Sequence, residues 1–242
     1  MISKTFFGLR VNYIESDELL KTFQNAMEKD EKICITYVSF HTLNLVKSNS
    51  NLEDIFSCFD VIHPDGVGVY FSSKFLFGFK EKIKPFTGSD FYEELIQRAI
   101  QNDWSLFFFG DRNEVVNNIS SNIPSLNIIG VHSGYDYDTN SLIFKIQSKK
   151  PDILIIGLGQ PLQEKWIIEN IFHLNAKVIL AVGDGIKVFA GNKIRGHKWV
   201  RKLGFEWLIR LINNPLLYWK RYLIGIPLFI VHVITEGLRT DA

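Results

Sequence analysis

Short apolar runs alternate along this chain with longer stretches in which apolar residues return every three or four positions. The runs are Ile33-Cys34-Ile35, Val61-Ile62, Leu106-Phe107-Phe108-Phe109, Ile128-Ile129, Ile153-Leu154-Ile155-Ile156 and Val178-Ile179-Leu180-Ala181-Val182. Continuous apolarity over a few residues predicts strands buried on both faces. Between them, Asp17 to Glu28, Ser89 to Gln101, Glu114 to Asn122, Ser141 to Ser148 and Gln163 to Ile171 carry the spacing of amphipathic helices. Ser89 or Asp90 can cap one of these. Strands alternating with helices pair in parallel through right-handed crossovers, so the pattern predicts an α/β fold, a Rossmann-like mainly parallel sheet flanked by helices.

Ligands of such sheets sit beyond the carboxyl ends of the strands. There the chain places turns: His63-Pro64-Asp65-Gly66, Gly110-Asp111, Gly130, Gly157-Leu158-Gly159 and Gly183-Asp184-Gly185. No internal repeat, low-complexity stretch or linker interrupts the series. The character of the chain changes near Gly196, dividing it into an α/β core over 1–195 and an appendage over 196–242. From Arg195 to Arg221 the chain holds Arg195, Lys198, Arg201, Lys202, Arg210, Lys220 and Arg221 against one acid, Glu206. Trp199, Trp207, Tyr218, Trp219 and Tyr222 accompany them, and the apolar run Leu223 to Val231 follows. Read as broken by Gly225 and Pro227, that run falls short of the roughly 20 residues a spanning helix requires. Cations beside Trp and Tyr ahead of a short apolar run suit a helical segment lying in lipid headgroups; a helix pair closing the core is the other reading.

Composition narrows the classes. At 242 residues with 46% hydrophobic and 22% charged residues, the chain is neither disordered nor a polytopic membrane protein. Twenty Phe, eight Tyr and five Trp exceed what a core needs, which points to a binding surface or a lipid interface. A net charge of +1 argues against nucleic acid as a partner. Cys34 and Cys58 give neither a disulfide framework nor metal spacing, and the stretch from Met1 to Leu9 has no signal-like core, so a reduced cytosolic setting is expected.

Asp65 is the first candidate for chemistry. Pro64 and Gly66 fix the backbone around it, and a carboxylate held after a buried strand can act as a general base toward a hydroxyl; taken alone, the turn favours the plainer reading, a cap for a helix beginning near Gly66. Gly157-Leu158-Gly159-Gln160-Pro161-Leu162-Gln163-Glu164-Lys165-Trp166 feeds a strand end into a helix whose free N–H groups can receive a phosphate, or is a plain helix start. It lacks the third glycine of a dinucleotide fingerprint and the Gly-Lys-Ser/Thr of a P-loop. Asp136-Tyr137-Asp138 has the Asp-x-Asp pattern of metal-dependent sugar transferases but sits in a turn-forming stretch, and the six histidines show no ligand pair. No metal and no cofactor are expected. No Gly-x-Ser-x-Gly elbow is present.

Taken in order, these segments resemble the WecG/TagA/CpsF family of bacterial glycosyltransferases, which has TagA-like N-acetylmannosaminyltransferases among its members. The likeness rests on His41-Thr42-Leu43-Asn44-Leu45, His63 to Gly68, Thr87-Gly88-Ser89-Asp90, Gly157 to Trp166, and the tail from Gly204 through Asn214-Pro215 to Leu223. The resemblance implies inverting, metal-independent transfer of a sugar from a UDP-sugar to a sugar on a polyprenyl diphosphate, in cell-surface polysaccharide or teichoic-acid-type synthesis. It implies a homo-oligomer peripheral on the inner face of the plasma membrane. Asp65 falls on the family's proposed base. Substrate contacts are implied for Thr36, Ser39, His41, Asn44, Lys84, Thr87, Gln160 and Gln163, and nucleotide contacts for Gly110, Tyr135, Gly157, Gly159, Gly183 and Lys187. Arg195, Arg210 and Arg221 fall on the diphosphate-binding arginines. Three positions depart from the family pattern: Ser39 stands where Asn is usual, Lys84 where Arg is usual and Lys187 where Asp is common. A nucleotide-dependent oxidoreductase or phosphohydrolase would explain the glycine loops but not the tail; a non-catalytic membrane-associated relative is the third reading.

Overall fold

The computed structural model describes residues 1–78, 87–192 and 206–240. All six apolar runs are strands: β3 (Ile33–Val38), β4 (Val61–Pro64), β5 (Leu106–Gly110), β6 (Ile128–His132), β7 (Ile153–Gly157) and β8 (Val178–Ala181). They form one parallel sheet in the order β4-β3-β8-β7-β5-β6. Residues of period two divide between its faces. Phe107, Phe109, Leu154 and Ile156 enter one core, and Leu106, Phe108, Ile153 and Ile155 enter the other, all of them fully buried. Burying a Phe, Leu or Ile side chain is worth about 1.5–3 kcal/mol each, which is why strands without polar alternation occupy the middle of the sheet.

One face is covered by α1 (Ser16–Lys29), α5 (Gly88–Gln101), α6 (Asn113–Asn122) and the short α9 (Ile186–Phe189). The other carries α2 (Phe40–Ser48), α3 (Ser50–Ser57), α7 (Thr139–Lys149) and α8 (Leu162–Asn170). Five of these helices match the amphipathic segments within a few residues. The N-terminal hairpin, β1 (Ile2–Phe6) with β2 (Leu9–Tyr13), is not foreseen by the periodicity. Its turn, Phe7 and Gly8, has φ +49° and +85°, the left-handed pair a tight hairpin requires. Asn12 on β2 accepts the Ile62 N–H at 2.8 Å and so ties the hairpin to β4.

The helix after β3 goes to one face of the sheet, and the helix after its neighbour β8 goes to the other. Adjacent strands whose connections diverge in this way leave a crevice at their carboxyl ends. α4 (Val67–Phe77) begins beside it, directly after the Asp65 turn.

The tail corrects the reading of its sequence. α10 (Glu206–Asn213) is followed by α11 (Pro215–Trp219), a π turn (Lys220–Ile224) and α12 (Gly225–Thr240), and Pro215–Leu238 is one continuous helix of 24 residues. Gly225 and Pro227 do not break it. The wider π turn ends just ahead of Pro227, whose missing N–H and bulky ring an α-helical turn would not accommodate. By length and composition the helix could cross a membrane, although a core helix can pass the same test. It is fastened to the core along one side. Phe229 and Val233 are buried, and Phe229 packs on Phe6, Phe7 and Phe40 with ring centroids 6.1, 6.2 and 6.2 Å away. Asn44 donates to the Gly225 carbonyl at 2.8 Å and lies 3.1 Å from His232 Nδ1, while Lys47 pairs with Glu236 at 3.0 Å.

Candidate active site

Asp65 stands at the carboxyl end of β4, its N–H bonded to the Val38 carbonyl of β3 at 2.9 Å. Gly66, at φ +85°, turns the chain sharply into α4. One oxygen of Asp65, Oδ1, accepts the N–H of Gly88 at 3.0 Å, at the first turn of α5, where a helix favours negative charge. No described group engages Oδ2 or forms an ion pair with this carboxylate. His63, below it in the strand, is fully buried, and burial drives its imidazole down to about 4 against the pull of the Asp65 charge. His63 therefore stays neutral and does not cancel that charge.

Asp65 opens into a cleft of about 310 Å³ that lies over the ends of β4, β3, β8 and β7. Its floor is aromatic, with Tyr37 from β3 and Tyr92 from α5. Burial raises both phenols well above their ordinary range. Gly185 is where the backbone must yield to Tyr92, since a Cβ there would lie 2.3 Å from its ring. Thr87, Gly88, Gly159 and Gln160 form further parts of the wall.

The tail adds Trp207 and Arg210 of α10 and Arg221 and Tyr222 of the π turn to the lining. Tyr222 is buried among Phe40, Trp207 and Tyr218, with centroids 6.0, 5.7 and 5.7 Å away. Arg221 lies over the Tyr222 ring at 5.9 Å, and its buried Nε has no hydrogen-bond partner among the described residues. His41, also in the cleft, is pushed down to about 4 by burial and by the Arg221 charge. It is a neutral hydrogen-bonding group there.

Beside this cleft a smaller cavity of about 120 Å³ shares Asp184 and Arg210 with it and adds Lys187, Asn192 and Tyr218. Asp184 is committed to cations, with Lys187 at 2.8 Å and Arg210 at 4.0 Å; Lys187 also reaches Asp111 at 3.6 Å. Burial alone would lower the Lys187 ammonium, but the hydrogen bond and charge of Asp184, with Asp111, raise it on balance. Of the two carboxylates lining the main cleft, Asp65 is the one whose second oxygen no described group engages.

Behind the floor lies a buried polar network. Glu164 is fully buried, and its Oε1 accepts from Thr36 at 2.7 Å, Gln163 at 2.8 Å and Gln160 at 3.2 Å. Gln163 also accepts the Gly183 N–H at 2.9 Å, and Gln160 donates to the Tyr37 carbonyl at 2.6 Å. The ends of β3, β7 and β8 are thereby locked together. Burial raises the Glu164 carboxyl in spite of these donors.

Of the residues singled out from the sequence, Asp65, Ser39, His41, Thr87, Gln160, Gly159, Arg210 and Arg221 meet in the main cleft. Ser39 is there as the cap of α2, exchanging two hydrogen bonds with Thr42 at 3.1 and 3.3 Å. Thr36 and Gln163 sit one layer below, in the Glu164 network, and Asn44 is spent on the tail. Gly110, Gly157 and Gly183 make close backbone approaches: a Cβ on Gly110 would lie 2.5 Å from Gly157, and one on Gly183 2.5 Å from the Tyr37 hydroxyl. Lys187 borders the smaller cavity, and Tyr135 is exposed at a loop. Lys84 and Arg195 lie outside the described residues. Asp138 of the Asp-x-Asp pattern caps α7 through Ser141 at 2.8 Å, and among the described residues no three His, Cys, Asp or Glu side chains converge in a metal-ligating group.

Sequence reasoning passed over Tyr37, Tyr92, Trp207 and Tyr222 as cleft residues and Glu164 as the centre of a network. Glu164 did carry a signal, as an acid beside the amides Gln160 and Gln163 at a helix start. One cleft thus holds a carboxylate whose second oxygen no described group engages, two guanidinium groups and several aromatic side chains. That combination can take a proton from a hydroxyl and hold a phosphate-bearing group.

The sequence model of the family described as Glycosyl transferase WecG/TagA/CpsF family matches residues 4–242. A Bacillus subtilis (strain 168) protein named N-acetylglucosaminyldiphosphoundecaprenol N-acetyl-beta-D-mannosaminyltransferase is 32% identical over 237 residues, covering 93% of this chain and 90% of the relative. A protein of the same name from Bacillus spizizenii (strain ATCC 23059 / NRRL B-14472 / W23) is 31% identical over 190 residues, covering 77% and 72%. Another from Staphylococcus aureus (strain MW2) is 28% identical over 223 residues, covering 89% and 85%.

Proposed function

The chain belongs to the WecG/TagA/CpsF glycosyltransferase family, and from that premise we propose that it moves a sugar from a UDP-sugar to a sugar carried on a polyprenyl diphosphate, with inversion and without a metal. The observation that carries this reading is the Asp65 Oδ2, engaged by no described group, in one cleft with Arg210 and Arg221. Asp65 takes the proton of the acceptor hydroxyl as its oxygen attacks C1 of the donor sugar. The bond from C1 to the nucleotide diphosphate breaks on the opposite side, and the arginines neutralise the departing charge. A single base and a single displacement give inversion. The relatives are named for a beta-configured mannosaminyl product, and a β product from an α-linked donor is an inversion. Their names also specify an N-acetylglucosamine on diphosphoundecaprenol, which supports a lipid-linked acceptor here.

The long C-terminal helix supports peripheral attachment, on the inner face of the plasma membrane where nucleotide sugars are made. One side of it is used on the core, through Phe229 and Val233, while Leu223, Ile224 and Val231 on other sides are more than half exposed. A helix bound along its length to a soluble domain can lie in a headgroup layer more readily than cross it.

The test is a panel of UDP-sugars, UDP-N-acetylmannosamine included, offered with a short-chain prenyl diphosphate N-acetylglucosamine. UDP release that depends on the acceptor, gives a disaccharide product and persists in EDTA is the expected result. No transfer from any donor, or UDP release that is independent of acceptor, would refute the reading.

A further inference from the structure

The helix that follows the Asp65 turn has an outer face that the core does not use. α4 has one formal charge, Lys74, and no acid. Val69 and Ser73 are buried, and the Tyr13 hydroxyl donates to Ser73, which fixes the inward side of the helix. Two residues further on, at about 200° around the axis, Phe71 and Phe75 are 62% and 68% exposed. They are one helical turn apart and lie on the same side. This surface runs into the tail: a Cβ on Gly237 of α12 would lie 3.2 Å from the Phe75 ring, and the neighbouring Ile234 and Leu238 are 49% and 69% exposed.

We infer that α4 is a second membrane-contacting element, its Phe71–Phe75 face forming with the outer face of α12 one apolar surface that enters the headgroup layer of an anionic bilayer. Charge selects this occupant. Residues 215–235 contain no acid, and Lys220 and Arg221 are their only formal charges, as Lys74 is for α4. Glu236, at the end of that stretch, is paired with Lys47. An apolar surface with only basic charge suits anionic lipid, whereas a two-fold contact with a second copy would bring like charges together. The inference deepens the lipid-linked acceptor reading and rests on it for one consequence. Because α4 starts two residues after Asp65, seating it in lipid sets the mouth of the cleft beside the layer that holds the acceptor.

The experiment compares full-length wild type, F71S/F75S and F144S in sedimentation with phosphatidylcholine vesicles, with and without phosphatidylglycerol. Phe144 is 73% exposed on α7 and serves as a control for any exposed Phe. Binding of F71S/F75S to anionic vesicles is expected to fall at least about tenfold, with F144S unchanged. Thermal unfolding and transfer to a water-soluble short-chain acceptor should match wild type. Wild-type sedimentation of F71S/F75S would overturn the inference. So would unchanged vesicle binding accompanied by a shift from dimer to monomer in vesicle-free solution, which would assign the face to a second copy. Lost vesicle binding in a protein that transfers sugar to no acceptor would count against the enzymatic reading and leave the role of α4 standing.

Discussion

The part of the cleft that carries Asp65 and Gln160 is bonded into the sheet, whereas the part that carries Arg210 and Arg221 rests on tilted aromatic rings and a helix that is largely exposed. In the first, backbone and side-chain hydrogen bonds join three strand ends through Glu164, Gln163 and Thr36. In the second, Tyr222 is held by Phe40, Trp207 and Tyr218, and the buried Arg221 Nε has no partner among the described residues. Asp65 is thus held by the fold itself. The cations sit on the tail, and the Arg221 Nε is a place where a phosphate oxygen would be gained.

The contrast breaks most sharply at Asp65. D65N is expected to lower the transfer rate by about 10²–10⁴-fold, the usual worth of a positioned general base. Its thermal unfolding should match wild type, because the amide oxygen still accepts the Gly88 N–H. Next comes the tail: R221A should cost about 10²–10³-fold in transfer, and R221K should not restore it, since an ammonium lacks the guanidinium fork. Calorimetry with UDP would show whether the loss is accompanied by weaker nucleotide binding.

Changes in the network behind the floor should appear as stability rather than chemistry. E164A strands the donors of Thr36, Gln160 and Gln163 and is expected to destabilise the protein by about 2–4 kcal/mol in urea unfolding. E164Q, which keeps an acceptor in place, should cost far less. The pH dependence separates them further. Because the folded protein raises the Glu164 carboxyl, its contribution to stability is fully present below the ordinary carboxylate value and is lost as pH rises through the folded value. E164Q should flatten that part of the stability profile. The smallest effect belongs to the join between core and tail, where N44A removes the bond to Gly225 and should cost about 1 kcal/mol.

How much of this was legible in the sequence follows the same division. The sheet was readable because its strands are continuous apolar runs, and the Asp65 turn because Pro64 and Gly66 bracket it. α4 was legible only as a helix start near Gly66, because Val67–Phe77 is largely apolar and shows little amphipathic periodicity, which is also what makes its outer face informative. The hairpin hides its pattern in five-residue strands, and α2 in a helix that depends on a Ser39–Thr42 cap. Within the site, Tyr37, Tyr92 and Tyr222 come together only through long-range packing, which no local pattern encodes. Gln163 and Thr36 lie in the right neighbourhood but one layer too deep, because sequence position cannot tell a cleft wall from the support behind it. Pro227 read as a break because the π turn that accommodates it is not encoded by propensity alone.

The central claim is that one carboxylate, in a cleft with two arginines, serves a single displacement. The most direct measurement is the anomeric configuration of the product, read by NMR coupling at the new glycosidic C1 after transfer from an α-linked UDP-sugar by the wild-type enzyme. A β-linked product is the predicted result. An α-linked product would contradict the account, because retention calls for a different mechanism from direct attack by a hydroxyl that Asp65 deprotonates.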